Sequence, residues 1–185
     1  MIYRLSICLC VLWLAGCAQS NKSFYVLTPE GTSPSGGGLG IGVGPVSLAE
    51  YIDRANLVIQ QGPNQLAVAE DHRWAGDLAE SISRVTAVNL GRRMNTGNTR
   101  VYPWQADEGL RYQVTLDIRQ LHSGEDGYAV IEAVWRVYSL PERKLTKSKT
   151  FVDREPLESD GYAPMVAAQS RLLARLAQDI APALR

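Results

Sequence analysis

The sequence contains few of the side chains that catalysis and metal binding require. Among 185 residues there are two histidines, His72 and His122, and three cysteines, all within the first 17 positions. No H-x-x-H or H-E-x-x-H spacing occurs, and no G-x-S-x-G motif indicates a nucleophilic serine. We therefore expect a protein that is not an enzyme and that holds no metal ion and no cofactor.

The remaining polar clusters do not form convincing active sites either. Asp71 and His72 could join a serine in a hydrolase triad, but adjacent side chains usually diverge, and a surface histidine before a helix is the better interpretation. Glu125 and Asp126 lie in a glycine-containing segment that is typical of a turn. The glycines of residues 39–46 lack the G-x-G-x-x-G spacing of dinucleotide-binding loops, so we expect a glycine face under a tightly packed element.

An excess of charge of either sign is also missing. The 19 lysine and arginine residues balance 19 acidic residues, which leaves a formal net charge of zero. Nucleic-acid binding or a polybasic membrane patch would require a strong local excess of basic residues. We therefore expect no nucleic-acid partner, and the length favours a single domain.

The N-terminus contains the longest uncharged apolar run of the chain. Arg4 precedes this run at residues 5–14, which is shorter than the roughly 20 residues of a membrane-spanning helix and has the form of a secretory signal. The run ends in Leu-Ala-Gly-Cys at residues 14–17, which resembles the lipobox of bacterial lipoproteins. A plain signal peptide with an incidental cysteine is the alternative, but it leaves the leucine and the two small residues unexplained.

The lipobox resemblance implies a processed and acylated N-terminus. Residues 1–16 would be removed as a lipoprotein signal peptide, and Cys17 would carry the acyl chains that attach the protein to a membrane. Residues 17–23 would form the lipidated N-terminus and a short tether, and residues 24–185 would form the domain. The next residue is Ala18 rather than aspartate, which by the same resemblance implies the periplasmic face of the outer membrane of a Gram-negative bacterium.

The apolar pattern predicts an α+β domain with an antiparallel-rich sheet covered by two main helices. Apolar and polar residues alternate most clearly at residues 110–121, which predicts a strand, and residues 122–127 are predicted to turn. Asp77 and Glu80 form a capping-box pair that predicts a helix extending to about residue 94. The other predicted elements are strands at residues 24–27, 39–46, 57–60, 65–69, 99–102, 128–138 and 144–152, a turn at 47–52, a loop at 153–163 and a second helix from about 164 to 184.

The strand predicted at residues 128–138 has two different faces. Alanine, isoleucine, tryptophan and valine form one face, and the opposite face mixes large residues with only two charged ones. An uncovered face of this composition is typical of an interface core, so we expect it to mediate self-association and partner binding. The loop at residues 28–38 or a terminal segment could instead cover it. The candidate interface residues are Tyr128, Val130, Val134 and Tyr138.

Several segments together resemble the ABC-type transport auxiliary lipoproteins, the PqiC-like family. The most distinctive segment is Asp-His-Arg-Trp-Ala at residues 71–75, and the similarity extends over residues 24–183. Ala49 is a departure, since the family usually has proline there. Further matching segments are residues 42–48, 51–54, 133–136, 167–170 and 179–181.

The resemblance implies a non-enzymatic outer-membrane lipoprotein of an MCE-type intermembrane lipid transport system. Such a protein would dock or receive the periplasm-spanning bridge and support envelope integrity. The expected partners are an MCE-domain transport protein, further copies of this chain in a homo-oligomer, and the membrane through the acyl chains on Cys17. Two alternatives remain, a lipoprotein that itself binds a hydrophobic ligand in an apolar cavity, and a structural envelope lipoprotein.

Replacing the predicted acylation site tests the anchor directly. In the Cys17→Ser variant we expect labelled palmitate incorporation to be lost, because the serine hydroxyl cannot form the thioether that carries the lipid. Metabolic labelling followed by immunoprecipitation measures this. A Cys8→Ser variant is the matched control and should be labelled like the wild type, and palmitate on the Cys17→Ser protein would show that the assignment is wrong.

Overall fold

The computed structural model describes residues 22–105 and 109–185, so Cys17 and the predicted signal peptide lie outside the described residues. Within these described ranges, no helix has the length and apolar composition that crossing a bilayer demands. The strands are β1 (Ser23–Tyr25), β2 (Ile41–Leu48), β3 (Asn56–Gly62), β4 (Gln65–Trp74), β5 (Thr99–Val101), β6 (Tyr112–Gly124), β7 (Tyr128–Ser139) and β8 (Lys144–Pro156). The helices are α1 (Leu78–Arg93) and α2 (Tyr162–Ile180), followed by a 3₁₀ helix (Ala181–Leu184).

Strand β6 lies at the centre of an eight-stranded mixed sheet. One edge of β6 pairs in parallel with β2 along residues 112–118 and with β3 at residues 123–124. The other edge pairs antiparallel with β7, which continues to β8. On the opposite side, β3 continues to β4 and β1. The sheet therefore runs β1-β4-β3-β6-β7-β8, with β2 and β5 beside the other half of β6.

Both helices pack on the same face of this sheet, which we call the inner face. Helix α1 contacts β2 and β5, α2 contacts β6, β7 and β8, and the two helices contact each other. Full burial of a large apolar side chain contributes about 1.5–3 kcal/mol, so a face composed of such residues holds the helices firmly. The inner-face residues of β7 are each at most 1% exposed: Ala129, Ile131, Ala133, Trp135 and Val137.

The N-terminus of α1 follows the predicted cap. Asp77 has extended backbone angles, and its Oδ1 accepts a hydrogen bond from the Glu80 N–H at 2.7 Å. This bond satisfies one of the N–H groups that a helix leaves unpaired at its start. At the other end, Arg92 and Arg93 lie in the last turn, where positive charge is favourable.

Ion pairs fasten the edge strand β8 to α2. The Arg171 Nε–H donates to Glu155 Oε1 at 2.6 Å, and the Arg175 Nε–H donates to Asp153 Oδ2 at 2.6 Å. Burial opposes ionisation of Glu155, but hydrogen bonds from both arginines outweigh it and lower the pKa of this carboxyl. Because Asp153 and Glu155 face α2, the residues next to them in the alternation pattern, Val152 and Arg154, lie on the opposite face.

The structure confirms the α+β class, a single domain and two helices, but the sheet is mixed rather than mainly antiparallel. Parallel pairs join β1 to β4, β2 to β5, and β6 to both β2 and β3. The strands that pair in parallel are far apart in sequence. A local pattern does not encode the direction of such pairings, because alternation reports only which residues share a face.

Three predicted boundaries are wrong because strands continue into predicted turns and loops. Residues 122–124 belong to β6, since Ser123 and Gly124 pair with β3. Residues 47–48 belong to β2, where Ser47 pairs with Asp117. Strand β8 continues to Pro156 through the ion pairs with α2. In each case a tertiary contact extends the strand.

The lowered pKa of Glu155 predicts how its contribution to stability depends on pH. This contribution is present above the unfolded-state pKa near 4.5 and is lost as the pH falls through the lower folded-state pKa. We expect Glu155→Gln to cost about 1–2 kcal/mol near pH 7, because two charge-assisted hydrogen bonds weaken. Thermal unfolding from pH 7 to pH 3 measures this, and the variant should lose less stability on acidification than the wild type.

The control for this prediction is Glu158→Gln. Glu158 also pairs with Arg171, but its side chain is 78% exposed, and exposed pairs contribute little. A Glu155→Gln protein with the wild-type dependence on pH would contradict the assigned role of this carboxylate.

Candidate functional site

The candidate site is the face of β6, β7 and β8 opposite the helices, which we call the outer face. Strand register defines it, because Gln113 pairs with Tyr138 and Glu132 pairs with Val152. Paired side chains of antiparallel strands project from the same face. The outer face comprises Gln113, Thr115, Asp117, Gln120 and His122 of β6, Tyr128, Val130, Glu132, Val134, Arg136 and Tyr138 of β7, and Leu145, Ser148, Thr150, Val152 and Arg154 of β8.

An aromatic row crosses one end of the outer face. Gly42 lies beside Gln113 in the sheet, and a Cβ atom at Gly42 would lie 2.7 Å from the Trp104 ring, which therefore covers this glycine. The ring of Tyr102 meets Trp104 edge-on with centroids 5.5 Å apart, and Tyr102 is 54% exposed. With Tyr138 on β7, three aromatic rings lie at this end. The Trp104 ring is the element that packs on the glycine face expected from the sequence.

A second aromatic site lies at the opposite end of β7. The Arg154 guanidinium carbon is 3.6 Å from the centroid of the Tyr128 ring, a cation–π contact. The same guanidinium lies 3.6 Å from Asp126 Oδ2. The cation–π contact links Tyr128 to β8, and Tyr128 is half-buried.

The turn that contains Tyr51 covers the outer face beside this second site. The Tyr51 ring packs edge-on against His122 with centroids 5.9 Å apart, and its hydroxyl donates to the Arg119 carbonyl at 3.1 Å. Burial, assisted by Glu132, raises the pKa of Tyr51 to about 12. Burial also lowers the pKa of His122, although Asp126 opposes this shift. Both rings are therefore neutral at pH 7, and this part of the face is internal packing.

The remainder of the outer face combines weak ion pairs with apolar side chains exposed on the edge strand β8. Arg119 lies 3.3 Å from Glu132 and 3.5 Å from Asp117, and such half-exposed pairs contribute little to stability. Val152 is 70% exposed, the highest value among the exposed large apolar residues that the structure describes, and Leu145 is 49% exposed. Apolar surface beside easily broken ion pairs suits an interface.

The four residues predicted from sequence all lie on the outer face, with different exposure. Tyr128, Val130 and Tyr138 are half-buried, whereas Val134 is only 7% exposed. Sequence reasoning missed Val152, because the strand containing it is mostly polar. Its outward position could have been found by matching Asp153 and Glu155 to the arginines of α2. The interface role of these residues stays a prediction.

The segment that could have covered the outer face lies on the helix side. In the loop at residues 28–38, the Thr28 N–H donates to Ser170 Oγ at 3.1 Å and the Glu30 N–H donates to Asn89 Oδ1 at 2.8 Å. The C-terminal 3₁₀ helix likewise joins the core with α2. The N-terminal segment before residue 22 lies outside the described residues.

The residues considered for catalysis have structural contacts. His72 lies in β4 rather than in a surface segment before α1, because β4 continues to Trp74. Its Nδ1 is 2.7 Å from the Tyr25 hydroxyl, and its ring stacks on Tyr162 with centroids 3.6 Å apart. Within residues 22–105 and 109–185, no three His, Cys, Asp or Glu side chains are grouped to hold a metal ion.

A cleft on the helix side has the wrong lining for an acyl chain. It has a volume of about 300 Å³, opens to solvent, and lies between the loop at residues 28–38 and the two helices. Its lining includes Glu30, Arg92, Arg93 and Arg175, which favour water and ions.

Comparison with known proteins finds relatives of this chain both by sequence and by fold. The sequence matches the family of ABC-type transport auxiliary lipoprotein components over residues 25–181. The crystal structure of an uncharacterized protein has a TM-score of 0.73 and 21% identity, covering 88% of this chain and 97% of that protein. Protein XCC0632 from Xanthomonas campestris, of family DUF330, has a TM-score of 0.67 and 18% identity, covering 86% and 92%. Among curated proteins, none matches this chain.

The difference in exposure along the outer face predicts a difference in stability. Val152→Asp should change the free energy of unfolding by less than about 0.5 kcal/mol, because the side chain is already in water. Val134→Asp should cost roughly 2 kcal/mol or more, because it buries a carboxylate. Urea unfolding measures both, and equal effects would show that the two valines do not differ in burial as described.

Proposed function

The chain belongs to the family of ABC-type transport auxiliary lipoprotein components, and from this we propose that it is a docking lipoprotein of an MCE-type intermembrane lipid transport system. The acyl chains on Cys17 hold it on the periplasmic face of the outer membrane. Ala18, in place of an aspartate after Cys17, favours this destination. The domain receives the periplasm-spanning bridge through its outer face and thereby supports envelope integrity. The observation that carries this proposal is a sheet that has both helices on one face and apolar side chains on the other.

The composition of the outer face supports docking to a protein. Its apolar side chains and its aromatic residues lie among polar ones, as in the core and rim of non-obligate interfaces. Val152, Leu145 and Tyr102 provide exposed apolar area, and tyrosine is among the residues that commonly dominate binding energy. A protein partner can displace the ion pairs of Arg119 at small cost.

The same face suits association between copies of the chain. Its acidic residues and its arginines are interspersed along β6, β7 and β8, so two copies can meet without net repulsion. We include a homo-oligomer in the proposal, since a ring of copies presents several identical docking faces to one bridge. The balanced charges are Asp117 and Glu132 on the strands and Asp126 in the turn before β7, against Arg119, Arg136 and Arg154.

The alternatives from the sequence receive less support. A carrier of hydrophobic ligands needs an enclosed apolar pocket, whereas the helix-side cleft is open and lined by arginines. A purely structural role in the envelope would leave two observations unexplained, the membership of a transport family and the apolar side chains exposed on the outer face. A non-catalytic role agrees with the structural contacts of His72.

Capture of the MCE-domain protein encoded in the same genome tests the proposal. The outer-face double variant Leu145→Asp/Val152→Asp should lower this capture at least about tenfold, because charge enters an apolar contact worth over 1.4 kcal/mol. Affinity purification from detergent-solubilised envelopes, followed by immunoblotting, measures it. Light scattering should show a smaller assembly for the same variant.

The control is Leu66→Asp/Val68→Asp on β4, whose two side chains are 44% and 45% exposed. It should behave like the wild type in both assays, and circular dichroism should show native spectra for both variants. An outer-face variant that captures the MCE protein normally would contradict the proposed docking surface. A wild-type protein that captures none would contradict the proposed partner.

A further inference from the structure

The first strand of the domain exposes its apolar residues. Phe24 is 63% exposed and Val26 is 61% exposed, although both are large apolar residues. The residues between and after them face the protein, since Tyr25 is half-buried and Leu27 is 7% exposed. An edge segment in water normally has its polar side outward, so this segment is arranged for a different neighbour.

Contacts on the inner side keep this orientation fixed. The Tyr25 hydroxyl lies 2.7 Å from His72 Nδ1, and the Tyr25 ring contacts the Tyr162 ring with centroids 6.3 Å apart. His72 in turn stacks on Tyr162 at the start of α2. Turning β1 over would break these contacts and expose Leu27, so Phe24 and Val26 remain outside the core.

The position of the segment identifies the neighbour. Cys17 is six residues before Ser23, where β1 begins, and six extended residues reach at most about 20 Å. An acylated Cys17 therefore holds β1 next to the lipid headgroups. The only exposed aromatic and aliphatic pair within ten residues of Cys17 that the structure describes is Phe24 and Val26.

Two basic residues lie beside this pair. Lys22 is exposed and lies two residues before Phe24, and Arg73 on β4 is the parallel register partner of Phe24. Basic groups beside apolar side chains are the composition of protein surfaces that rest on anionic bilayers. The charge therefore favours a lipid surface over a second apolar protein face.

We propose that Phe24 and Val26 insert into the interfacial region of the bilayer, with Lys22 and Arg73 against its headgroups, so that β1 is a second membrane contact beside the lipid anchor. This inference rests on the acylation of Cys17 in the proposed function. It also separates the membrane contact from the docking surface. Strand β8 lies five strand spacings from β1, or about 24 Å across the sheet, so the membrane contact and Val152 lie at opposite edges of the sheet.

A single-cysteine reporter tests this contact on the full-length lipoprotein. Cys8 and Cys10 leave with the signal and Cys17 is consumed by the lipid, so Phe24→Cys adds one free thiol for a fluorescent label. The protein is reconstituted into phosphatidylethanolamine–phosphatidylglycerol vesicles with a quencher on the lipid acyl chains. Quenching at position 24 should be at least about twofold stronger than in the control Leu66→Cys, because interfacial contacts reach about 5–10 Å into the bilayer.

Each outcome has one meaning. Val26→Cys should be quenched like Phe24→Cys, and this agreement supports the proposal independently of any one variant. If the labelled protein floats with the vesicles but position 24 is quenched no more than position 66, this inference is wrong and the anchor stands. If position 24 is shielded from an aqueous quencher but not quenched by the lipid, a protein covers β1 and the inference is again wrong. If the protein does not float, both the anchor and this inference fail.

Discussion

Packing of both helices on one face of the sheet is the constraint on which the remaining structure depends. Trp135 is fully buried on the inner face, and its Nε1–H donates to Asp179 Oδ2 of α2 at 2.9 Å. Lys149 of β8 binds the same carboxylate at 2.5 Å. Once α2 is held over β7 and β8, the alternation of each strand decides that Val152 and Tyr128 point the other way. The outer face is therefore a consequence of how the core forms.

The sequence predicts the elements better than their pairing. Asp77 identifies the start of α1, and the alternation at residues 128–138 identifies the two faces of β7, because both signals are local. The pairing of β2 with β6 depends on contacts such as the bond from Gln113 to the Gly44 carbonyl, which joins residues 69 positions apart. Strand alternation carries no information about that partner or its direction, so the mixed sheet could not be predicted.

The candidate site was predictable to the extent that it lies on one strand. The mixed face of β7 is visible in the sequence, but the exposure of its residues depends on neighbouring strands. Val134 is covered between Asp117 and Thr150, whereas Val152 is exposed at the edge. The contribution of Trp104 also depends on a distant residue, because Gly42 provides the space for its ring. Tertiary contacts, rather than local composition, decide which apolar residues are available to a partner.

We propose that partners meet the outer face and not the helices, and site-specific photo-crosslinking in living cells tests this most directly. A photoreactive amino acid at Val152 reports on the outer face, and one at Arg84, whose side chain is 65% exposed on α1, reports on the helix side. We expect covalent adducts with the MCE-domain protein or with a second copy of this chain from position 152, and none from position 84. Adducts from position 84 with none from position 152 would contradict this proposal.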